Sequence, residues 1–180
     1  YWMHCNMITI GGQKMGKSLG NFINLGQFFS GQHTLLAQAY SPMTVRFYIL
    51  QAHYRSTVDF SNEALQAADK AYARLKNSYD LLDKLSLIEN KAVQSSEAIK
   101  AIENAIDEMY QYIADDFNTA EVISRLFELM KKVNAYANKQ ADPAELDVAT
   151  FEKMKAAYKL FFNDLLGLQP ASEQHDNDIS

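Results

Sequence analysis

One cysteine, Cys5, occurs among 180 residues. That excludes an internal disulfide, offers no metal-ligand spacing and suits a reducing, cytoplasmic compartment. No apolar run approaches the roughly 18 residues a membrane helix needs, because charges interrupt the longest candidates within a turn or two. No signal-peptide pattern opens the chain, so no membrane association is expected. Cations are scarce as well. Seventeen Lys and Arg stand against 22 Asp and Glu, a net charge of -5, which taken alone argues against nucleic-acid binding. The shortage is uneven, however. Residues 1–60 carry Lys14, Lys17, Arg46 and Arg55 against Asp59 alone, a net +3, and the remainder carries -8. An anionic ligand is therefore expected at the N-terminal part. Hydrophobic residues make up 48%, enough for one domain with a sizeable core or two small ones.

Residues 11–18 read GGQKMGKS. As G-x-x-x-x-G-K-S, with Gly11, Gly16, Lys17 and Ser18, the segment satisfies the P-loop expression. As K-M-x-K-S it sets Lys14 and Lys17 three residues apart with Met15, Gly16 and Ser18 around them. Both parsings predict ATP phosphates. The apolar, β-branched stretch Met7–Ile10 predicts a strand running into a turn at Gly11–Gly12. A P-loop also requires a helix opening at Lys17 and Ser18, but Leu19, Gly20 and Asn21 follow, and Gly and Asn suit that first turn poorly. It further requires a parallel sheet bearing a magnesium-binding Asp, and no strand of that kind is expected after residue 60. The second parsing asks less. Two ammonium groups on a glycine-rich, mobile loop can neutralise a departing pyrophosphate and then open to release it.

Ser41–Pro42 reads as an N-cap and first helical residue, starting a helix through MTVRFYILQAHY with Val45, Ile49 and Tyr48 or Ala52 on its apolar face. After Ser61 the spacing of three and four predicts four amphipathic helices. Their stripes are Leu65, Ala68, Tyr72, Leu75, Tyr79 and Leu82, then Ile99, Ile102, Ile106, Met109 and Ile113. Val122, Leu126, Leu129, Val133 and Tyr136 form the third, and Phe151, Met154, Tyr158, Phe161 and Leu165 the fourth. Asn118 with Glu121 and Asp142 with Glu145 read as capping pairs, and Pro143 as a first helical residue. The expected fold is mainly α: a small α/β unit over 1–60, an antiparallel four-helix bundle over 61–169, and a polar tail or linker over 170–180.

The segment YWMHCNMITIGGQKMGKSLGNF resembles the part of class I aminoacyl-tRNA synthetases that carries their second signature, the KMSKS loop, with the LGN that often accompanies it. SPMTVRFYILQAHYRSTVDFS and DDFNTAEVISRLFELMKKVN are similar to stretches of the cysteinyl-tRNA synthetase family, so the resemblance runs from Tyr1 to about Val133. It implies activation of cysteine by ATP with Mg2+ to cysteinyl-adenylate and pyrophosphate, then transfer to tRNA(Cys). It makes Lys14 and Lys17 the phosphate-facing lysines, Ser18 the signature hydroxyl and Met15 a packing anchor, with Gly16 standing where the family has Ser. It makes 1–60 a stem-contact unit and the bundle a DALR-type tRNA-binding domain.

The chain starts without Met and with an apolar stretch already under way, which reads as an excerpt. The resemblance then places the nucleotide-binding fold, the HIGH signature and the Zn2+ ligands in an upstream catalytic domain, and an anticodon-reading extension beyond the other end. The excerpt alone is expected to be inactive. No metal ligand is assigned here: His4 and Cys5, adjacent on a strand, point to opposite faces and chelate poorly.

Arg46, His53, Tyr54 and Arg55 have two readings, contact with RNA phosphates and ribose, or intramolecular pairing such as Arg55 with Asp59. The resemblance favours RNA. In Asp115–Thr119, Asn118 is expected to cap a helix and Phe117 to wedge two helices together. Alternative functions are a P-loop NTPase, a purely structural bundle, and a synthetase-like ligase that joins cysteine to an amino sugar.

Overall fold

Two left-handed glycines set the first element pair. In the computed structural model, which describes residues 2–86, 96–142 and 145–169, strand β1 (Ile8–Ile10) pairs antiparallel with β2 (Gln13–Lys14). Ile10 lies opposite Gln13, so Gly11 and Gly12 alone make the turn, with φ of 56° and 78°. Positive φ at both central residues is what a two-residue hairpin of this twist demands, and Gly meets it without a Cβ clash. Strand β3 (Val58–Phe60) adds parallel to the other edge of β1, giving the order β2-β1-β3.

A parallel pair needs a long crossover, and residues 11–57 provide it with helices α1 (Leu25–Ser30) and α2 (Pro42–Leu50). Asn24 and Gln27 close a capping box on α1. The Ser41 hydroxyl accepts the Thr44 amide at 3.0 Å, with Pro42 in the first turn as expected. α2 is shorter than the sequence suggests, and its buried face differs. Val45 and Phe47 are buried, whereas Ile49 is 41% exposed. The reason lies in the packing: Val45 points into a small core with Ile23, Phe28, Tyr40, Phe60 and Leu65, while Phe47 points into a larger one. A helix wedged between two cores does not show a single stripe.

The larger core belongs to α3 (Asn62–Leu81), α4 (Glu97–Ala114), α5 (Thr119–Ala137) and α6 (Val148–Lys159). α5 packs on α3, α4 and α6, and α4 also packs on α6. The expected stripes of α3, α4 and α5 face this core, with Tyr79, Ile113 and Tyr136 at its edge. The first turn of α3 instead sends Leu65 into the small core.

The last helix departs from expectation at both ends. It starts at Val148, capped by Asp147, whose Oδ1 accepts the Thr150 amide at 2.7 Å. The Glu145 amide donates to Asp142 O in a turn ahead of it, and Pro143 and the tail from residue 170 lie outside the described residues. From Leu160 to Leu165 the helix widens to π geometry, seen in the Leu166 amide bonding Phe161 O five residues back. The extra residue moves burial along by one. Leu165 is 47% exposed, and Phe162, Leu166 and Leu168 are buried in its place. The segment ends at Gly167 (φ 59°), where a Cβ would lie 2.7 Å from Arg46 Nη2.

Candidate functional site

The hairpin that ends in Lys14 and leads on to Lys17 is tied to strand β3 by one carboxylate. Asp59 Oδ1 accepts from Thr9 Oγ1 at 2.5 Å and from the Gly12 amide at 2.8 Å. The Thr9 bond, and then the Gly12 bond, hold the Asp59 carboxyl below its ordinary value of 3.8. A depressed carboxyl contributes stability that is present above its unfolded value and lost as pH falls through its folded one. Asp59→Ala is therefore expected to lower stability at pH 7 by about 1 kcal/mol or less, solvent screening being strong at an exposed carboxylate. In urea titrations the gap between the two proteins should narrow as pH falls below the ordinary carboxyl value. A gap of constant size there would refute the electrostatic assignment.

Beyond the hairpin, the Met15 amide donates to Ile8 O at 3.2 Å. The Gly16 amide donates to Asn21 Oδ1 at 2.9 Å, and Asn21 Nδ2 donates to Lys14 O at 3.1 Å. Lys17–Leu19 form a single 3-10 turn that Gly20, with φ of 67°, stops. No helix opens at Lys17 as a P-loop would require, so that parsing is not favoured. Lys14, Lys17 and Ser18 are exposed, and Met15 and Gly16 are half-buried. Lys17 Nζ lies 5.4 Å from the centroid of the Phe22 ring, in cation–π range. Gly16 has φ of -163°, ordinary extended backbone, and a Cβ there would come no closer than 3.8 Å to Leu19. A serine at this position, as in the family signature, would fit without strain.

The residues weighed for RNA contact occupy two places. His53, Tyr54 and Arg55 follow α2 on a segment held by Asn6, whose amide bonds Tyr54 O at 3.0 Å and whose Nδ2 bonds Arg55 O at 2.9 Å. Asp116 gathers their side chains. Its Oδ1 accepts from the Tyr54 hydroxyl at 2.6 Å and from Arg55 Nη2 at 3.1 Å, its Oδ2 lies 3.0 Å from Arg55 Nε, and His53 Nε2 is 3.6 Å away. Asp59, the partner considered from sequence, is occupied by Thr9 and Gly12 instead. Arg46 is exposed but its Nε donates to Leu166 O at 2.8 Å, satisfying a carbonyl at the end of the last helix.

Asn118 does cap α5, its Oδ1 accepting the Glu121 amide at 3.4 Å. Phe117 does not wedge the helices. Asp116 and Phe117 both take left-handed backbone, φ 58° and 54°, and this corner turns the Phe117 ring outward, leaving the residue 55% exposed. Sequence reasoning missed Asp116 as an anchor because nothing local marks a partner some sixty positions away. At the start of the chain His4 stacks on Trp2, with centroids 6.1 Å apart, and Cys5 is exposed. Among the described residues no group of three or more His, Cys, Asp or Glu is placed to hold a metal ion, so a zinc site does not fit them. No helix among them is long and apolar enough to cross a membrane.

Two family models match the chain: the class I (C) tRNA synthetase catalytic domain over residues 1–70, and the DALR domain over residues 108–169. The chain is 52% identical over 168 residues to a cysteine–tRNA ligase of Cytophaga hutchinsonii, covering 93% of this chain and 34% of that protein. It is 49% identical to the enzyme of that name from Bacteroides thetaiotaomicron, over 98% of this chain and 34% of the relative. A more distant relative of the same name, from Aquifex aeolicus, is 33% identical over 92% of this chain and 32% of its own length. The chain thus spans about a third of the length of the curated relatives it matches. The lysine-bearing loop lies inside the first matched region and the Asp116 corner inside the second, and with these identities the chain is similar over nearly its whole length to part of the cysteinyl-tRNA synthetases.

Proposed function

We propose that the whole protein is a cytoplasmic cysteine–tRNA ligase, and that this chain contributes its mobile phosphate-binding loop and its tRNA-contacting helices. The observation that carries this reading is the exposure of Lys14 and Lys17 together on one short segment, the end of β2 and the 3-10 turn after it, within the residues matched by the synthetase catalytic-domain model. In the first half-reaction the cysteine carboxylate attacks the α-phosphorus of ATP, which enters as its Mg2+ complex, and the bond to the β-phosphate oxygen breaks. Negative charge accumulates on the departing pyrophosphate, and the Lys14 and Lys17 ammonium groups neutralise it there. The Ser18 hydroxyl adds a hydrogen bond to a phosphate oxygen, and Met15 and Gly16 bring the backbone against the phosphates. In the second half-reaction a ribose hydroxyl of the terminal adenosine of tRNA(Cys) attacks the adenylate carbonyl, and AMP leaves.

The cysteine and adenosine sites are assigned to an upstream catalytic domain of the whole protein. Helices α3 to α6 are read as an antiparallel DALR-type bundle. Arg46, His53, Tyr54 and Arg55 are its neighbours towards the RNA, where Arg can pair with phosphate and the stacked His53 and Tyr54 rings can meet ribose or base.

The test is charging. The whole protein, given ATP, Mg2+ and cysteine, should load radiolabelled cysteine onto tRNA(Cys). Transfer to an amino sugar with tRNA left uncharged would overturn the reading in favour of the sugar ligase.

A further inference from the structure

The geometry points to Asn21 as a positioning residue for the two loop lysines, an inference that rests on the phosphate role proposed for them. A primary carboxamide offers donors on one atom and acceptors on the other. Asn21 uses one of each on the same short segment, accepting from the Gly16 amide and donating to the Lys14 carbonyl. The partners leave no choice of amide orientation, since a backbone N–H can only donate and a carbonyl can only accept. The clasp brackets Met15 and closes the backbone between the two lysines into one turn. Aspartate could receive the amide but could not donate to the carbonyl, and alanine could do neither.

Three neighbours make this clasp possible. Gly20 takes the left-handed backbone that reverses the chain, so that residue 21 returns to residues 14–16. Ile23, two residues on, is buried in the small core and gives the clasp a rigid base. Phe22, between them, holds Lys17 Nζ over its ring, so Lys17 is seated from the same anchored stretch. Freed from the clasp, residues 14–18 would have to lose backbone freedom each time the lysines meet the pyrophosphate, a cost borne in the transition state. The consequence is a slower chemical step with little change in ground-state ATP binding.

The experiment uses the whole protein carrying Asn21→Ala, with Lys17→Ala beside it. Cysteine-dependent pyrophosphate exchange by Asn21→Ala should show kcat reduced roughly tenfold to a hundredfold with the KM for ATP little changed. Limited trypsin digestion should show faster cleavage after Lys14 and Lys17, with cleavage elsewhere and the melting temperature as in wild type. Exchange like wild type, or a loss accompanied by general proteolysis and a lowered melting temperature, overturns the inference. If Lys17→Ala exchanges normally, the phosphate role of the loop fails. The trypsin pattern still decides whether Asn21 holds the turn.

Discussion

Lys17→Ala in the whole protein is expected to slow cysteine-dependent pyrophosphate exchange by roughly a hundredfold to a thousandfold, the usual cost of removing one preorganised group that meets transition-state charge. The loss should fall on kcat, because the charge on pyrophosphate develops only as the phosphorus–oxygen bond breaks. Folding should hardly notice. Lys17 is exposed, its Nζ forms no ion pair among those of the described residues, and its contact with the Phe22 ring is worth about 0.5–1 kcal/mol at an exposed site. For a chain of this size that corresponds to a melting shift of about 2–4 °C at most. Rapid-quench measurement of adenylate formation, paired with calorimetry, separates the two effects. A large fall in melting temperature with normal exchange would make Lys17 a structural residue.

The second large effect concerns the register of the last helix. Phe162 is fully buried and meets the rings of Tyr72, Tyr79 and Tyr158 at centroid distances of 6.4, 4.9 and 6.0 Å. Truncation to alanine removes that ring from the large core and leaves a cavity among side chains from two helices, at a cost of about 3–5 kcal/mol. Leu165→Ala should cost much less, about 1 kcal/mol or under, because nearly half of that side chain already meets solvent. Chemical denaturation of the two variants reads the register directly. A plain α-helical register would bring the two costs close together, since the three-and-four spacing puts Leu165 with Phe161 and Tyr158 on the buried stripe.

The contrast at Leu165 also shows where periodicity stops being informative. Along α3, α4 and α5 each side chain's direction follows from the regular turn of its own helix, so apolar spacing was enough to name the buried faces. A π turn inserted near the end of the last helix shifts that phase by one, and no residue type marks it. The caps at Ser41 and Asn118 were likewise readable, because a cap and its amide partner lie three residues apart. Strand β3 was not: three residues are too few to show alternation, and what stabilises them is pairing with β1, fifty positions earlier.

The functional regions divide in the same way. Lys14, Lys17 and their loop glycines, the proposed phosphate loop, were named from order along the chain, because the proposed chemistry needs particular side chains at short, defined separations. Composition located the positive charge in the first sixty residues, and the stripes identified a helical remainder. The three-dimensional packing decided what those residues touch. It gave Arg55 to Asp116 rather than to Asp59, joined Arg46 to the carbonyl of Leu166, turned Phe117 outward, and closed the lysine turn with Asn21. Periodicity and capping arise within a few residues of one backbone and so are written locally. Partners brought together across 61 or 120 positions depend on how whole elements pack, and only the folded chain specifies them.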